Sequence, residues 1–352
     1  MDMSANSSLL EQLHLLSSAD DWSPFLARFS NLDVYYTKEY AELFAVIQNG
    51  TPNAIYFENE NGKVFYSFIK RGIDGTGELY FDLITPYGYG GPLVEGDPTI
   101  IRSFYSLFTE YCLKQNIVSE TVTLHPLLKN HEYIKEVMKT DYVRKTTAVD
   151  LSLSLDEIRS QYSKNAKRNI RKAVKNEVTI SVANSKEEID QFTNMYYETM
   201  DRHKASKFYY FDRSYFHKQL MDTNLSKSVL LLAWSHSEMI AGVLLLIGNQ
   251  FAHYHLGASR AEFLSLRPNH LLFDAMIEYA KMCHSKFLHL GGGYLDEDEL
   301  YRFKTSFTNK ASFDYYLGKH IINEKKYSEL TKPAIKSSEK SYFPAYRMGQ
   351  ND

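Results

Sequence analysis

The chain has 352 residues, of which 44% are hydrophobic and 24% are charged, a composition typical of a globular protein with enough apolar material for two cores. Its formal net charge is only −3 at pH 7, which excludes binding of polyanions through bulk charge and requires a local basic patch for any such role. The cysteines, Cys112 and Cys283, lie far apart and form no CxxC pair, which predicts free thiols in a reducing compartment and no zinc site.

The chain shows no sequence signal for export or membrane insertion. Residues 1–16 lack a basic region followed by an apolar core, so no secretory signal is predicted. The most apolar stretch, residues 229–247, is interrupted by the polar run at 235–238, which predicts a hairpin rather than a membrane span. We therefore expect a cytoplasmic protein with no transmembrane segment.

The first half of the chain alternates between helical and strand patterns. An Asn-Gly pair at residues 61–62 stands between two β-rich runs and is a strong hairpin signal. The predicted order is a helix, a hairpin, a third strand, a helix and a last strand, at residues 37–48, 54–57 with 63–70, 78–84, 99–115 and 119–125.

The second half repeats this order. The corresponding elements are predicted at residues 186–203, 229–234 with 239–247, 250–257, 268–284 and 286–290. A repeat of this size indicates duplication, and a meander that leads into a helix and a further strand predicts an α/β fold with mixed sheets. We predict domains at residues 1–150 and 151–320, followed by a C-terminal tail at 321–352.

A basic helix is predicted at residues 159–175, where the sequence contains lysines and arginines but no acid. Helical spacing places the cations on one face and apolar residues on the other. A merely solvated face normally carries both signs of charge, so this face is predicted to bind anions such as a nucleotide-sugar or lipid-carrier diphosphate, CoA or a tRNA backbone. The cations of this face are Lys164, Arg168, Arg171, Lys172 and Lys175.

Three segments, in this order, carry a resemblance to a known family: residues 163–173, then 254–259 with 268–272, then 290–293 with 300–304. They resemble the Fem-like tandem GNAT acyltransferases, which include the aminoacyltransferases of peptidoglycan cross-bridges and acetyltransferase-like proteins of envelope-polysaccharide gene sets. The loop at residues 86–92 is also similar to a loop of this family. The resemblance extends from about Tyr36 to Lys319 and implies two tandem GNAT-like domains.

The resemblance also implies a reaction, the transfer of an activated acyl or aminoacyl group to an amine. In the Fem enzymes the donor is aminoacyl-tRNA and the acceptor is a lipid- or nucleotide-linked muropeptide. The present sequence lacks the long charged heptad segment of the helical arm that several Fem enzymes carry, which argues against a specific tRNA donor.

Two residues are candidates for catalysis. By resemblance, Lys304 corresponds to a family lysine near the reacting acyl group, where a fixed cation would stabilise the negative charge that develops on the carbonyl oxygen. His255 and His253 are expected on the same face of one strand, and His255 is a candidate to take the proton from the attacking ammonium. The alternatives are a surface lysine and a structural histidine.

Other residues are candidates for substrate binding. Arg267 stands where acetyl-CoA-dependent GNAT enzymes have a Q/R-x-x-G-x-G/A phosphate loop, but the glycines are missing, which argues against acetyl-CoA bound in the usual way. Asp82 is a candidate to accept hydrogen bonds from an amine, and Tyr87 and Tyr89 to stack on a sugar or base. The full predicted binding set is Lys164, Arg168, Arg171, Lys175, Asp82, Tyr87, Tyr89 and Arg267.

These features predict an N-acyl- or aminoacyltransferase that forms an amide on a cell-envelope or glycan precursor. The expected partner is a phosphate-bearing substrate, namely a nucleotide- or lipid-linked sugar or peptide, and the expected donor is aminoacyl-tRNA or acyl-CoA, with no tightly bound cofactor or metal. Two alternatives remain, an acetyl-CoA-dependent sugar N-acetyltransferase and a non-catalytic module that binds anions or nucleic acid. The oligomeric state stays open.

Overall fold

A computed structural model describes residues 13–77, 79–331 and 342–348. They belong to two compact units, Met1–Val143 with Tyr315–Asp352 and Arg144–Asp314. Three expectations fall wholly or partly outside the described residues: the N-terminal segment without a signal, the start of the third strand at Glu78, and part of the C-terminal tail.

The unit boundaries differ from the predicted domain boundaries. Both fall within strands, at residues 143/144 and 314/315. The described part of the predicted tail belongs to the first unit, because Tyr346 and Arg347 bond to Asp82 there. Hydrogen bonds between residues more than 260 positions apart leave no local pattern in the sequence.

The helices and strands have the following bounds. The helices are α1 (Ser23–Leu26), α2 (Lys38–Ile47), α3 (Ile100–Lys114), α4 (His131–Ile134), α5 (Leu155–Gln161), α6 (Lys164–Lys175), α7 (Lys186–His203), α8 (Arg213–Gln219), α9 (Pro268–Met282), α10 (Glu299–Thr305) and α11 (Glu324–Thr331). The strands are β1 (His14–Leu16), β2 (Gly50–Asn59), β3 (Gly62–Gly72), β4 (Phe81–Ile84), β5 (Leu93–Gly96), β6 (Ile117–Thr123), β7 (Lys139–Asp150), β8 (Val178–Val182), β9 (Lys227–Ser235), β10 (Glu238–Ile247), β11 (Phe251–Ser259), β12 (Phe287–Gly291) and β13 (Ser312–Ile321).

In the first unit the strand order is β1-β2-β3-β4-β6-β13, with β5 beside β3. Strands β4 and β6 are parallel, because α3 carries the chain back across the sheet between them, and the other pairs are antiparallel. The apolar face of α3, with Phe104 and Phe108, packs into a core that includes Tyr66 and Leu83.

In the second unit the strand order is β7-β12-β11-β10-β9-β8. Here β11 and β12 are the parallel pair, joined by α9. Small and apolar residues of α6 and α9, including Ala166, Ala173, Leu272 and Met276, form the core against the sheet. Both units therefore have a helix, a hairpin, a third strand, a crossover helix and a parallel strand, which confirms the predicted repeat and the α/β class with mixed sheets.

The basic segment is divided, in contrast to the single predicted helix. The chain turns after Gln161, and Ser163 begins a new helix by accepting a hydrogen bond from the backbone N–H of Ala166. Residues 229–247 form the predicted hairpin, with His236 at its turn in the left-handed conformation (φ 54°). Across the described residues, no helix combines the length and apolar character needed to span a membrane.

Candidate functional site

The parallel strands β11 and β12 separate at their carboxyl ends. Their pairing runs from Phe251 opposite Phe287 to His253 opposite His289. Strand β11 then continues to Ser259 and β12 to Gly291, without further pairing between the two among the described residues. Ligands in α/β folds bind at the carboxyl ends of parallel strands, so this opening is the first candidate site.

A β-bulge lies beside the opening. Leu244 pairs with Leu256 and Leu245 pairs with Tyr254, which leaves His255 as an extra residue in β11. The Tyr254 ring packs against Phe273 of α9, whereas His255 forms a hydrogen bond with Tyr215 of α8. Bulges redirect side chains and are frequent next to active sites.

Lys304 of α10 reaches this opening. Its side chain is buried, its Nζ donates a hydrogen bond to the carbonyl oxygen of Gly292 at 2.6 Å, and Nζ lies 5.2 Å from the centroid of the Tyr254 ring. Burial lowers the pKa of Lys304 to about 7, and the positive charge of Arg144 acts in the same direction. Near neutral pH, Lys304 is therefore present in both the ammonium and the amine form.

The loop after β12 holds Lys304 in place. Asp298 caps α10 by accepting the backbone N–H of Tyr301 at 2.9 Å, and it also accepts those of Tyr294 at 2.6 Å and Leu295 at 3.0 Å. Burial alone would raise the pKa of Asp298, but these backbone hydrogen bonds lower it. Gly293 lies so close to this carboxylate that a Cβ atom would stand 1.8 Å from Asp298 Oδ1. The absence of a side chain at Gly293 thus allows the backbone to approach this carboxylate closely.

His255 is a poor candidate for the predicted general base. Tyr215 OH lies 2.5 Å from His255 Nε2, and burial lowers the pKa of His255 to about 3, with a further contribution from His253. Burial also raises the pKa of Tyr215 far above its ordinary value, so the phenol donates and the neutral imidazole accepts. A base with so low a pKa retains little of the proton affinity that the role requires. The structure shows His255 bonded to Tyr215, and its role as the general base stays a prediction.

The predicted cationic face exists on α6. Its lysines and arginines are exposed, and within the described chain none of them forms an ion pair with a carboxylate. Arg159 behaves differently, because it lies on α5 and pairs with Asp274 at 2.9 Å and Glu278 at 2.8 Å. The exposed members of the face are Lys164, Arg168, Arg171, Lys172 and Lys175.

Arg267 lies beside this face. It is exposed at the start of α9, in the left-handed conformation (φ 66°), and Pro268 follows it. Asn169 of α6 contacts His270 of α9 at 3.0 Å, so the beginning of α9 packs against α6. Burial, followed by the charge of Arg267, lowers the pKa of His270 to about 4. An anion bound here would meet the side chains of α6 and Arg267 rather than a glycine loop.

Asp82 of the first unit has a structural role, in contrast to the predicted contact with a substrate amine. Its carboxylate is buried and pairs with Arg71 at 2.8 Å and with Arg347 at 2.5 Å, while Tyr346 OH lies 3.3 Å away. Because both oxygens are bound within the unit, the carboxylate anchors the C-terminal segment.

Tyr87 and Tyr89 pack within the first unit. The Tyr87 ring lies 5.4 Å from that of Phe44, and the Tyr89 ring contacts Tyr35 edge-on at 5.7 Å. Gly88 lies against the same Tyr35 ring, where a Cβ atom would be 2.4 Å from Cε1. Both tyrosines are half-buried, and stacking on a sugar or base stays a prediction.

The first unit has no comparable opening between its parallel strands in the described residues. Strands β4 and β6 pair as far as Ile84 opposite Thr121, and Thr85 then continues the contact through its backbone N–H to Thr121. The Thr85 and Thr123 hydroxyls lie 2.6 Å apart, and Gly90 N–H donates to the Thr123 carbonyl at 2.7 Å. The opening at the ends of the parallel strands is therefore a feature of the second unit among the described residues.

Sequence reasoning missed three residues of the site. Tyr254 lay in a quoted segment but received no role, because the bulge that orients its neighbour depends on strand register. Tyr215 lies on α8, whose N-cap Asp212 was a usable helix signal. Asp298 received no role, although its position directly before a helix is typical of an N-cap.

The chain is similar in sequence or fold to several known proteins. The family model described as "Acetyltransferase (GNAT) domain" matches residues 160–305, which lie within the second unit and include Lys304. Among curated proteins no sequence matches the chain. This part of the second unit is therefore similar to a GNAT domain.

Solved structures extend the similarity to both units. The crystal structure of FemX is 14% identical with a TM-score of 0.68, over 90% of this chain and 99% of that chain. The C-terminal domain (DUF2156) of a putative lysylphosphatidylglycerol synthetase from Agrobacterium fabrum is 12% identical with a TM-score of 0.53, over 89% and 92%. L-PGS from Bacillus licheniformis is 11% identical with a TM-score of 0.53, over 92% and 93%. The protein has the tandem GNAT fold, as the resemblance implied.

Proposed function

We propose that the protein is an N-acyltransferase that joins an activated acyl or aminoacyl group to an amine of a phosphate-bearing cell-envelope or glycan precursor. The observation that carries this proposal is Lys304, a buried lysine that faces the opening between β11 and β12 in a GNAT domain. The similarity in fold to FemX and to a lysylphosphatidylglycerol synthetase domain supports the aminoacyl form of the reaction.

The chemistry requires one developing charge to be stabilised. The neutral amine nitrogen attacks the acyl carbonyl, a C–N bond forms and the C–O or C–S bond to the donor breaks. The proton that the nitrogen loses passes to the oxygen or sulfur of the leaving group. Negative charge builds on the carbonyl oxygen in the transition state, where the Lys304 ammonium would stabilise it. A nearby negative charge raises the pKa of a lysine, so the transition state itself favours the charged form.

The exposed cations of the second unit would hold the phosphates. Lys164, Arg168, Arg171 and Lys175 on α6, together with Arg267, form the proposed phosphate contacts. Aminoacyl-tRNA and acyl-CoA both carry phosphates and both remain donors in the proposal. The free thiols of Cys112 and Cys283 fit a reducing compartment, and we propose the cytoplasm as the place of the reaction.

A donor panel tests the proposal. Purified protein is incubated with aminoacyl-tRNAs or acyl-CoAs and with amine-bearing nucleotide sugars or peptides, and mass spectrometry detects a new amide. The Lys304→Met variant should lose the product signal, whereas Lys186→Met, which removes an exposed lysine of the same unit, should retain it. If no donor is consumed, or if Lys304→Met matches the unmodified protein, the proposal is wrong.

An acetyl-CoA-dependent sugar N-acetyltransferase is the second candidate. It is favoured by the family model, whose description is that of an acetyltransferase domain. The non-glycine start of α9 at Arg267 argues against it, because side chains keep a pyrophosphate away from the backbone N–H groups. Calorimetry with CoA tests this candidate, because an acetyl-CoA-dependent enzyme must bind CoA saturably and the absence of such binding would rule it out.

A further inference from the structure

A polar cleft of about 600 Å³ lies in the second unit, beside the residues already described. Helix α10 contributes Arg302 and Thr305 to its lining, whereas Lys304 of the same helix bonds to Gly292 instead. The cleft also includes Ser163 at the start of α6 and the loop that precedes β13. It is thus adjacent to the cationic face of α6 but separate from the opening between β11 and β12.

The cleft carries an uncompensated positive charge. Arg302 and Lys310 are exposed, and their side chains have no ion pair within the part of the chain that the structure describes. The remaining charged residues of the lining, Lys145 and Glu297, neutralise each other at 2.7 Å. Two cations therefore face an open cavity, which favours an anion.

Three hydroxyl groups of the cleft differ in whether the hydrogen or the oxygen is available to a ligand. Ser163 Oγ accepts the N–H of Ala166, so its own hydrogen is available to a ligand. Thr305 and Ser306 instead donate their hydrogens to the backbone carbonyls of Arg302 and Phe303, at 3.1 Å and 2.6 Å. Their oxygens therefore present lone pairs, which match the hydroxyl donors of a polyol.

We propose that this cleft binds a phosphorylated sugar, with Arg302 and Lys310 on the phosphate and the hydroxyl oxygens of Thr305 and Ser306 on the sugar. Guanidinium and ammonium groups supply the charge-assisted hydrogen bonds that phosphate requires. The first turn of α6, which begins after Ser163, adds the positive end of a helix of 12 residues. The site rests on the proposed function and deepens it by adding a sugar-phosphate subsite beside the phosphate contacts already proposed on α6 and Arg267.

Binding can be tested without turnover, so a failure of this inference is distinguishable from a failure of the proposed reaction. The probe is N-acetylglucosamine 1-phosphate, titrated by isothermal calorimetry, with neutral N-acetylglucosamine and inorganic phosphate in parallel. The Arg302→Gln/Lys310→Gln variant should bind the sugar phosphate at least about tenfold more weakly than the unmodified protein. Lys186→Gln/Lys218→Gln removes the same charge from exposed positions outside the cleft and should stay within about twofold.

Several outcomes overturn the inference. It is wrong if the unmodified protein shows no saturable binding, or if both double variants lose affinity equally, because only general charge attraction would then act. If inorganic phosphate binds as tightly as the sugar phosphate, the sugar adds nothing to the affinity, and the proposed contacts of Thr305 and Ser306 with the sugar are wrong. All four substituted side chains are exposed, and an unchanged thermal midpoint for each variant confirms that loss of binding is not loss of fold.

Discussion

Replacing Lys304 by methionine should lower activity and raise stability at the same time. Removing a donor that stabilises a transition-state oxyanion typically reduces kcat by about 10²- to 10³-fold, and we expect a loss of this size. Methionine is similar in length and apolar, so the buried volume beside Tyr254 stays filled. The direction of the stability change follows from the pKa of the lysine.

The buried ammonium destabilises the fold because the pKa of Lys304 falls from an ordinary 10.5 to about 7. Below pH 7 the lysine is charged in both states, and the folded state bears the full cost of burying that charge. Between about pH 7 and 10.5 only the unfolded state still binds the proton, so the free energy of unfolding rises with pH and the penalty disappears. The full difference corresponds to roughly 5 kcal/mol.

The net effect at pH 7 is smaller than this figure. Methionine leaves the carbonyl of Gly292 without the hydrogen bond from Nζ, which costs about 1–2 kcal/mol. We therefore expect Lys304→Met to increase the free energy of unfolding by roughly 2–4 kcal/mol at pH 7, and to lose that advantage between about pH 9 and 10.

Denaturant titrations at pH 7, 8, 9 and 10 measure this directly. The difference between the two proteins isolates Lys304, because every other titrating group is common to both. The difference should shrink by about 1.4 kcal/mol per pH unit across this range. If the free energies of unfolding of the two proteins changed with pH in parallel, Lys304 would have its ordinary pKa and the reasoning would be wrong. An unchanged single-turnover rate for Lys304→Met would show that Lys304 takes no part in catalysis.

Three further predictions concern the surroundings of the lysine. Asp298→Ala removes the N-cap of α10 and should cost about 1–2 kcal/mol in urea denaturation while it lowers kcat, with Asp222→Ala as an unaffected control. Tyr215→Phe leaves the His255 acceptor without its donor and should cost about 1–3 kcal/mol; an unchanged free energy of unfolding would contradict the hydrogen bond. Arg168→Gln/Arg171→Gln should raise KM for the phosphate-bearing substrate and reduce its dependence on salt, and a salt dependence equal to that of the unmodified protein would contradict phosphate contact.

Local patterns predicted the elements of the repeat well. The helix at residues 186–203 was predicted to the residue, and both hairpins follow from alternating apolar runs around polar turns. The cationic face of α6 was also accessible, because a face of one helix depends only on spacing within 12 residues.

Features set by distant residues were not accessible. The acid at residue 82 could be read from the sequence, but its partners Arg71 and Arg347 come from another strand and from the far end of the chain. The role of His255 depends on the register of β10 against β11, because one extra residue creates the bulge. The sequence likewise could not show that the lysine at residue 304 is buried, which is what lowers its pKa.

The contrast between the two parallel strand pairs shows how a duplicated fold can divide its tasks. An unpaired strand end and a buried ammonium group aid chemistry, but both weaken the fold that contains them. In the unit that contains Thr85 and Thr123, hydrogen bonds close the parallel strands. The other unit has the open strand ends and Lys304. In a tandem protein, one unit can therefore keep a fully bonded sheet while the other carries the destabilising features.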